Sequence, residues 1–325
     1  MRASRLLARS LGIFALLALA TPCAAAQSLA DLREELRESL HGRRFGHGIV
    51  ALSDLANEQE LAAARYEIDD EQDTSVSTLS LPWHTSRELP GSSRSLYLEA
   101  NFGYMQAEGE LDDILEGTLP GMEVGYDSKW TAISGLVGAG IACPLANGLT
   151  LTPIVDLSLT HLKNDSDYAG PGEADYAPVL DGILFNWSST ILGVGGALRA
   201  DLSGDVTGDI RYELVGRYDL RHLETLRSTD SAQDLSEASQ FVTGRVEFSG
   251  FTPIVIGHEN IEWHTHVGYR SFFAETADAL GFGDFVELGG GLDFAALGLS
   301  KVSLQGSVLE GHDVSGWTLG LSASF

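Results

Sequence analysis

An all-β membrane protein is predicted, an antiparallel transmembrane β-barrel of twelve strands behind a short N-terminal helix. Three observations predict it. The chain ends Ser315-Gly-Trp-Thr-Leu-Gly-Leu-Ser-Ala-Ser-Phe325. There Trp317, Leu319, Leu321, Ala323 and Phe325 fall on one face of an extended strand, and Thr318, Gly320, Ser322 and Ser324 on the other. An apolar row running to the terminus is an aggregation hazard in water and a closing strand in lipid. Second, the same alternation recurs along the chain with charged residues on the polar row, which suits a barrel with lipid outside and a polar lumen. Third, the links between these segments alternate short and long, as in outer-membrane barrels.

The first residues carry Arg2, Arg5 and Arg9, an apolar run from Leu11 to Ala20, then Thr21-Pro-Cys-Ala-Ala-Ala26. This is the layout of a secretory signal peptide, residues 1–26, cut after Ala26. The run is short for a membrane anchor, and Pro22 stands where a small residue precedes a lipidated cysteine, Cys23. With Cys23 removed, Cys143 is the one remaining thiol and no internal disulfide forms. No other stretch approaches the ~18–20 unbroken apolar residues of a spanning helix, so a crossing requires a closed barrel.

The formal charge is −26, with lysine confined to Lys129, Lys163 and Lys301. Such a surface repels nucleic acid and reads as a solvated acidic face. No run has calcium-loop spacing.

Residues 27–44 follow as a periplasmic or plug helix. Leu29, Leu32, Leu36 and Leu40 recur at helical steps, with Ser28 as N-cap and Gly42 as stop. The barrel occupies 45–325. Phe45–Ser53 and Val76–Glu88 read as a first hairpin around an acidic external loop, Glu58 to Asp73. Without that hairpin the count is ten. Ser95–Gln106 sets Leu96, Leu98, Ala100, Phe102 and Tyr104 against Glu99 and Asn101. Met122–Cys143 reads as one long strand, and Leu149–Leu162 alternates Leu and Val with Thr150, Thr152, Asp156 and Thr160. Asp209–Arg221 sets Ile210, Tyr212, Leu214 and Tyr218 against Arg211, Glu213, Arg217, Asp219 and Arg221. Glu259–Ser271 sets Ile261, Trp263, Val267 and Tyr269 against Glu262, His264, His266 and Arg270. Phe282–Phe294 and Lys301–Val308 complete the set before the last strand. Long external loops are expected at Ala107–Gly121, Lys163–Gly182 (with Asp165, Asp167, Glu173, Asp175 and Asp181) and His222–Ala238. Tight turns are expected at Glu88–Arg94, Pro144–Gly148, Leu202–Asp205 and Ala295–Ser300.

Leu149-Thr-Leu-Thr-Pro-Ile-Val-Asp-Leu-Ser-Leu-Thr-His-Leu-Lys-Asn164, Asn186-Trp187 and Val314–Phe325 resemble the solitary outer-membrane autotransporter-like β-barrels. The resemblance covers the chain from about Phe45 onward. It implies twelve strands, residence in the bacterial outer membrane, contact with its lipid and recognition of the Phe325 terminus by the barrel-assembly machinery. The stretch between Ala26 and Ser95 is too short for a β-helical passenger, so the expected role is a structural or surface barrel or a narrow pore. A monomer is expected, with no cofactor.

Sites are less defined. Arg211, Arg217, Glu247, Glu262, His264, His266 and Arg270 read as a polar network lining the lumen. Glu262, His264 and His266 share one inward row at ~6.5–7 Å steps, which also suits a metal or an acid–base pair, although a space-filling salt network is the plainer reading. The enzyme alternative is a barrel-wall hydrolase acting on lipid or peptide, but no Gly-x-Ser-x-Gly elbow occurs, and no catalytic residue is assigned. Asp165, Asp167 and Asp175 are candidates for a carboxylate protease site above the rim, although solvated loop acids are the plainer reading. Gly289-Gly-Gly291 lies inside a strand and reads as a place of close packing rather than a phosphate loop.

Overall fold

The computed structural model describes residues 62–69, 74–111, 125–169 and 173–324, apart from 184, 257–258, 274, 281 and 297–298. It also describes residues 30, 31, 33, 34 and 37. Twelve antiparallel strands close into one barrel, each paired with its chain neighbours and the last with the first. They are β1 (Ala62–Ile68), β2 (Ser75–Glu88), β3 (Ser95–Leu111), β4 (Gly125–Pro144), β5 (Leu149–Ala169) and β6 (Ser188–Thr207). β7 (Ile210–Ser228), β8 (Ser236–Ile256), β9 (Glu259–Phe272), β10 (Asp284–Ala296), β11 (Leu299–Gly311) and β12 (Val314–Ser324) follow. Helices α1 (Glu173–Leu180) and α2 (Glu275–Leu280) sit in two of the links.

One end of the barrel carries the short links, such as Leu89–Arg94 and Gly208–Asp209, and the last described residue, Ser324. This is the inner, periplasmic end by the usual asymmetry, and the helix-bearing links mark the outer end. At the inner end β4 turns into β5 through Ala146–Gly148, where Asn147 and Gly148 take positive φ values of 61° and 78°. Asn and Gly adopt this left-handed backbone at least cost.

The outward rows are apolar and stand clear of the protein. Val155 is 70% exposed and Val308 62%, with Leu157, Leu159, Val194, Leu198, Val267 and Leu319 alongside. A continuous belt of this kind has its solvent in lipid. β3 to β8 run 17–21 residues, against the about 9–11 that a tilted strand needs to cross a bilayer. The outer ends of β3, β4 and β5 therefore project beyond the belt.

This projection corrects three expected loops. β5 continues to Ala169, so Asp165 and Asp167 lie on a strand, opposite Lys129 and Asp127. β3 runs on to Leu111, and β7 to Ser228. Alternation of apolar with polar residues marks only the part of a strand inside lipid, and the paired hairpin outlasts it. The turn expected at Leu202–Asp205 is instead Gly208–Asp209, and β8 continues to Ile256 past an irregular register after Phe251.

The first strand differs more. It is Ala62–Ile68, inside the segment expected as the first external loop. Its pattern is the reverse of the belt: Ala62, Ala64, Tyr66 and Ile68 are buried inward, while Arg65 and Glu67 face out. Phe45–Ser53 lies outside the described residues, as do residues 1–26, Phe325 and most of 27–44. The described positions within 27–44 have helical backbone.

β1 closes the barrel on β12, from Ala62 opposite Gly320 to Ile68 opposite Val314. Gly316 sits in this seam, where a Cβ would stand 2.1 Å from the Arg65 carbonyl oxygen. Backbone cannot yield as a side chain can. Gly316→Ala is expected to cost about 1–3 kcal/mol, the usual range for overpacking. Gly306→Ala, whose nearest contact would be an ordinary 3.5 Å, should cost little. Urea midpoints of the two variants refolded into vesicles check this.

Candidate functional site

The functional residues expected from the sequence face the lumen, and the lumen is layered. Its outer half is an apolar core. Ile68, Val76, Ala107, Leu162, Phe272, Phe285, Leu309 and Val314 come from the outer ends of the strands, and Trp187, Leu280 and Phe282 from the links above them. Phe272 and Phe282 meet edge to face at 5.8 Å, and Trp130 and Trp187 at 5.2 Å, the favoured geometry of aromatic pairs. Thr276 of α2 holds the link in place by accepting the Gln240 N–H at 3.2 Å.

Below this core the lumen is ionic. Arg217 on β7 reaches across to Glu99 on β3 with two parallel bonds of 2.7 and 2.9 Å, and its Nε donates to Asp219 at 2.9 Å. Arg221, 2% exposed, donates to Asp156 at 2.9 Å and to Asp219 at 3.0 Å. Tyr97 donates to Glu99 at 3.1 Å. Two guanidinium groups thus tie together carboxylates from β3, β5 and β7, in the forked geometry that arginine favours. The two layers are joined by arginine over aromatic faces: Arg221 over Phe241 and Arg270 over Phe285, each at 5.8 Å.

A second group spans β8 to β12. Arg245 donates to Glu247 at 2.7 Å and to Gln305 at 3.2 Å, and lies 3.1 Å from His266 Nδ1. Glu287 accepts from Ser307 and Thr318, with His266 Nε2 3.6 Å away. Gly289 and Gly291 make room for the two histidines. A Cβ on either would stand within 2.6 Å of the ring of His266 or His264. Between the groups lies a cavity of about 330 Å³, lined among others by Glu99, Glu213, Arg217, Arg245, Glu247 and Glu287.

The expected residues therefore sit as follows. Arg217, Glu247, His266 and Arg270 are in or beside this network. Arg211 and Glu262 pair with each other nearer the inner end. His264 turns to Asp293, at 3.5 Å. The row Glu262, His264, His266 does not converge, because each side chain turns to a different partner. Among the described residues no group of three or more His, Cys, Asp or Glu is placed to hold a metal. Ser307, Glu287 and His266 do meet, but the serine donates to the carboxylate rather than to the imidazole. A hydrolase needs the base between nucleophile and orienting acid. Cys143 is half-buried at the inner end of β4.

Sequence reasoning missed Glu99, Asp156 and Asp219 as the partners of the arginines, although it placed each on an inward row. It also missed the inward aromatics. The signal for those was present: at the outer ends both rows turn apolar, as in Phe285-Val286 and Phe272-Phe273.

The family model of the solitary outer membrane autotransporter beta-barrel domain matches residues 66–296. The chain belongs to that family. It is an integral protein of the bacterial outer membrane, an autotransporter translocator-like barrel. No curated protein matches it. Among solved structures, the transport unit of the autotransporter AIDA-I from Escherichia coli aligns with a TM-score of 0.53 at 12% identity, over 87% of this chain and 99% of that one. The translocator domain of NalP from Neisseria meningitidis gives 0.47 at 14% identity, covering 89% and 95%. The beta domain of the Bordetella autotransporter BrkA gives 0.46 at 16%, covering 81% and 96%. The family is one of barrel domains, and the hydrolase alternative finds no support in it.

Removing Arg221 takes from buried Asp156 the guanidinium it pairs with and leaves Asp219 to Arg217 alone. Arg221→Ala is expected to destabilise the barrel by about 3–5 kcal/mol, the usual cost of breaking a buried pair. Arg211→Ala, whose side chain is 55% exposed, should change stability by less than about 1 kcal/mol. Parallel urea titrations of the two variants read the difference.

Proposed function

We propose that this family member acts as a structural barrel of the outer membrane, closed to passive flow in its resting form. The observation that carries the reading is the apolar core filling the outer half of the lumen. Water and ions cross a layer of packed aromatics poorly, and the ionic layer beneath it is cross-linked from β3 to β7. The narrow-pore reading has one observation in its favour, the charged cavity of about 330 Å³ below the core. On the closed reading that cavity is a vestibule facing the periplasm.

The barrel is a monomer, a reading supported by the outward belt of apolar side chains on β2 to β12, which suits lipid. Trp317, Leu319 and Leu321, all exposed on the outward row of β12, form with Phe325 the stretch read by the assembly machinery. The described residues of the N-terminal helix sit at the outer mouth rather than in the periplasm, a placement supported by the contacts of Arg33 and Arg37 with the outer links. There Arg33 Nη1 donates to the Pro178 carbonyl at 2.8 Å, and Arg37 Nε to Asp230 at 2.9 Å.

Planar-bilayer recording of the refolded full chain tests the closed reading. The intact barrel is expected to be silent, and a Phe282→Ala/Phe285→Ala double variant to show flickering conductance. Steady conductance from the intact barrel would favour the narrow pore.

A further inference from the structure

Two links at the outer rim are built into one unit. Gln233, 8% exposed, donates to the carbonyl of Ile183 and lies 3.5 Å from that of Gly182. Its Oε1 accepts the Asp230 N–H at 3.0 Å, while Asp230 caps the following turn by accepting from Ala232 N–H at 3.2 Å. The link after β5 and the link after β7 are thus joined through a buried amide.

This unit presents two acceptors for guanidinium. The first is the C-terminal end of α1. The N–H groups of Gly182 and Ile183, next in line for the carbonyls of Pro178 and Val179, go to Phe185 and Leu180 instead. Gly182 turns the chain with a φ of 76°. Carbonyls freed at a helix C-terminus carry partial negative charge and attract cations. Arg33 Nη1 takes Pro178 O at 2.8 Å, Asp181 O at 3.0 Å and Val179 O at 3.3 Å. The second is the Asp230 carboxylate, which Arg37 holds through Nε at 2.9 and 3.0 Å and through Nη2 at 2.8 Å. Burial pushes the Asp230 carboxyl up, but the Arg37 bond, the Ala232 N–H and the Arg37 and Arg33 charges outweigh it and hold it below the ordinary aspartate value. Residues four apart share one face of a helix, so Arg33 and Arg37 meet the two acceptors together.

We propose that the outer rim carries a two-point guanidinium receptor for an Arg-x-x-x-Arg helix, and that its resident ligand is this chain's own Arg33 and Arg37. The receptor locks the N-terminal segment to the outside of the barrel. It rests on the outer-mouth placement of Arg33 and Arg37, and deepens it by naming the lock.

Trypsin digestion of intact cells bearing the full chain tests this, with cleavage after Arg33 followed by mass spectrometry. An engaged guanidinium is withheld from the protease, so the wild type is cut slowly. Asp230→Asn is expected to speed cleavage after Arg33 about tenfold, as loss of one charge-assisted bond would. The charge swap Arg37→Asp with Asp230→Arg should slow it again, a rescue that a general loosening of the rim would not give. Each variant is first checked for the fast gel migration of a folded barrel without heating. Equal cleavage in wild type and Asp230→Asn overturns the receptor and leaves the outer-mouth placement standing. Cleavage that appears only after the periplasm is opened overturns both.

Discussion

In lipid there is no water to satisfy an exposed N–H or C=O, so every backbone group in the spanning part must find its partner within the chain. Twelve strands meet this demand only if the last pairs with the first. The β1–β12 seam is therefore the condition on which the rest depends. β1 is short and contributes fewer rungs than any other strand, and the Gly316 contact shows how closely the two backbones run there. An alternating row of Leu and Val becomes stable on the outside of such a cylinder for the same reason that it would fail on a soluble one.

Closing the sheet turns the usual inside and outside over, and the interior then has to be filled. This lumen is filled in two ways. Toward the outside it is packed like a soluble core, with aromatic rings and the link residues Trp187, Leu280 and Phe282. Below, arginines bridge carboxylates from strands that are far apart in sequence, Arg217 to Glu99 and Arg221 to Asp156. Each such ion is costly to bury and more costly to leave alone. The network fixes the spacing of opposite walls, while the aromatic layer excludes water. The proposed sealed barrel rests on this division.

Period-two alternation made the strand count and the inward rows legible, because a strand has only two faces. The parity of links gave the orientation, because barrel ends differ in length of turn. Three things escaped. β1 carries its apolar row inward and its charges outward, the opposite of the belt, so Ala62–Ile68 read as loop. The strand extensions past the membrane, such as Asp165 to Ala169, have no apolar row at all. Pairing across the lumen joins residues over a hundred positions apart, and no local pattern encodes that Arg217 meets Glu99 rather than Glu213. The contacts of Arg33 and Arg37 were hidden likewise: an amphipathic helix shows its leucines, not the carbonyls that its arginines will find.

The apolar rows face lipid and the aromatic core faces inward. Quenching by bromine-labelled lipids, applied to refolded variants that keep one tryptophan each, tests it most directly. Trp317, 44% exposed on the outward row, should be strongly quenched; Trp187, 3% exposed inside the outer lumen, should keep its emission. Equal quenching of the two, or emission retained by Trp317 and lost by Trp187, would contradict the inside-out arrangement on which the account is built.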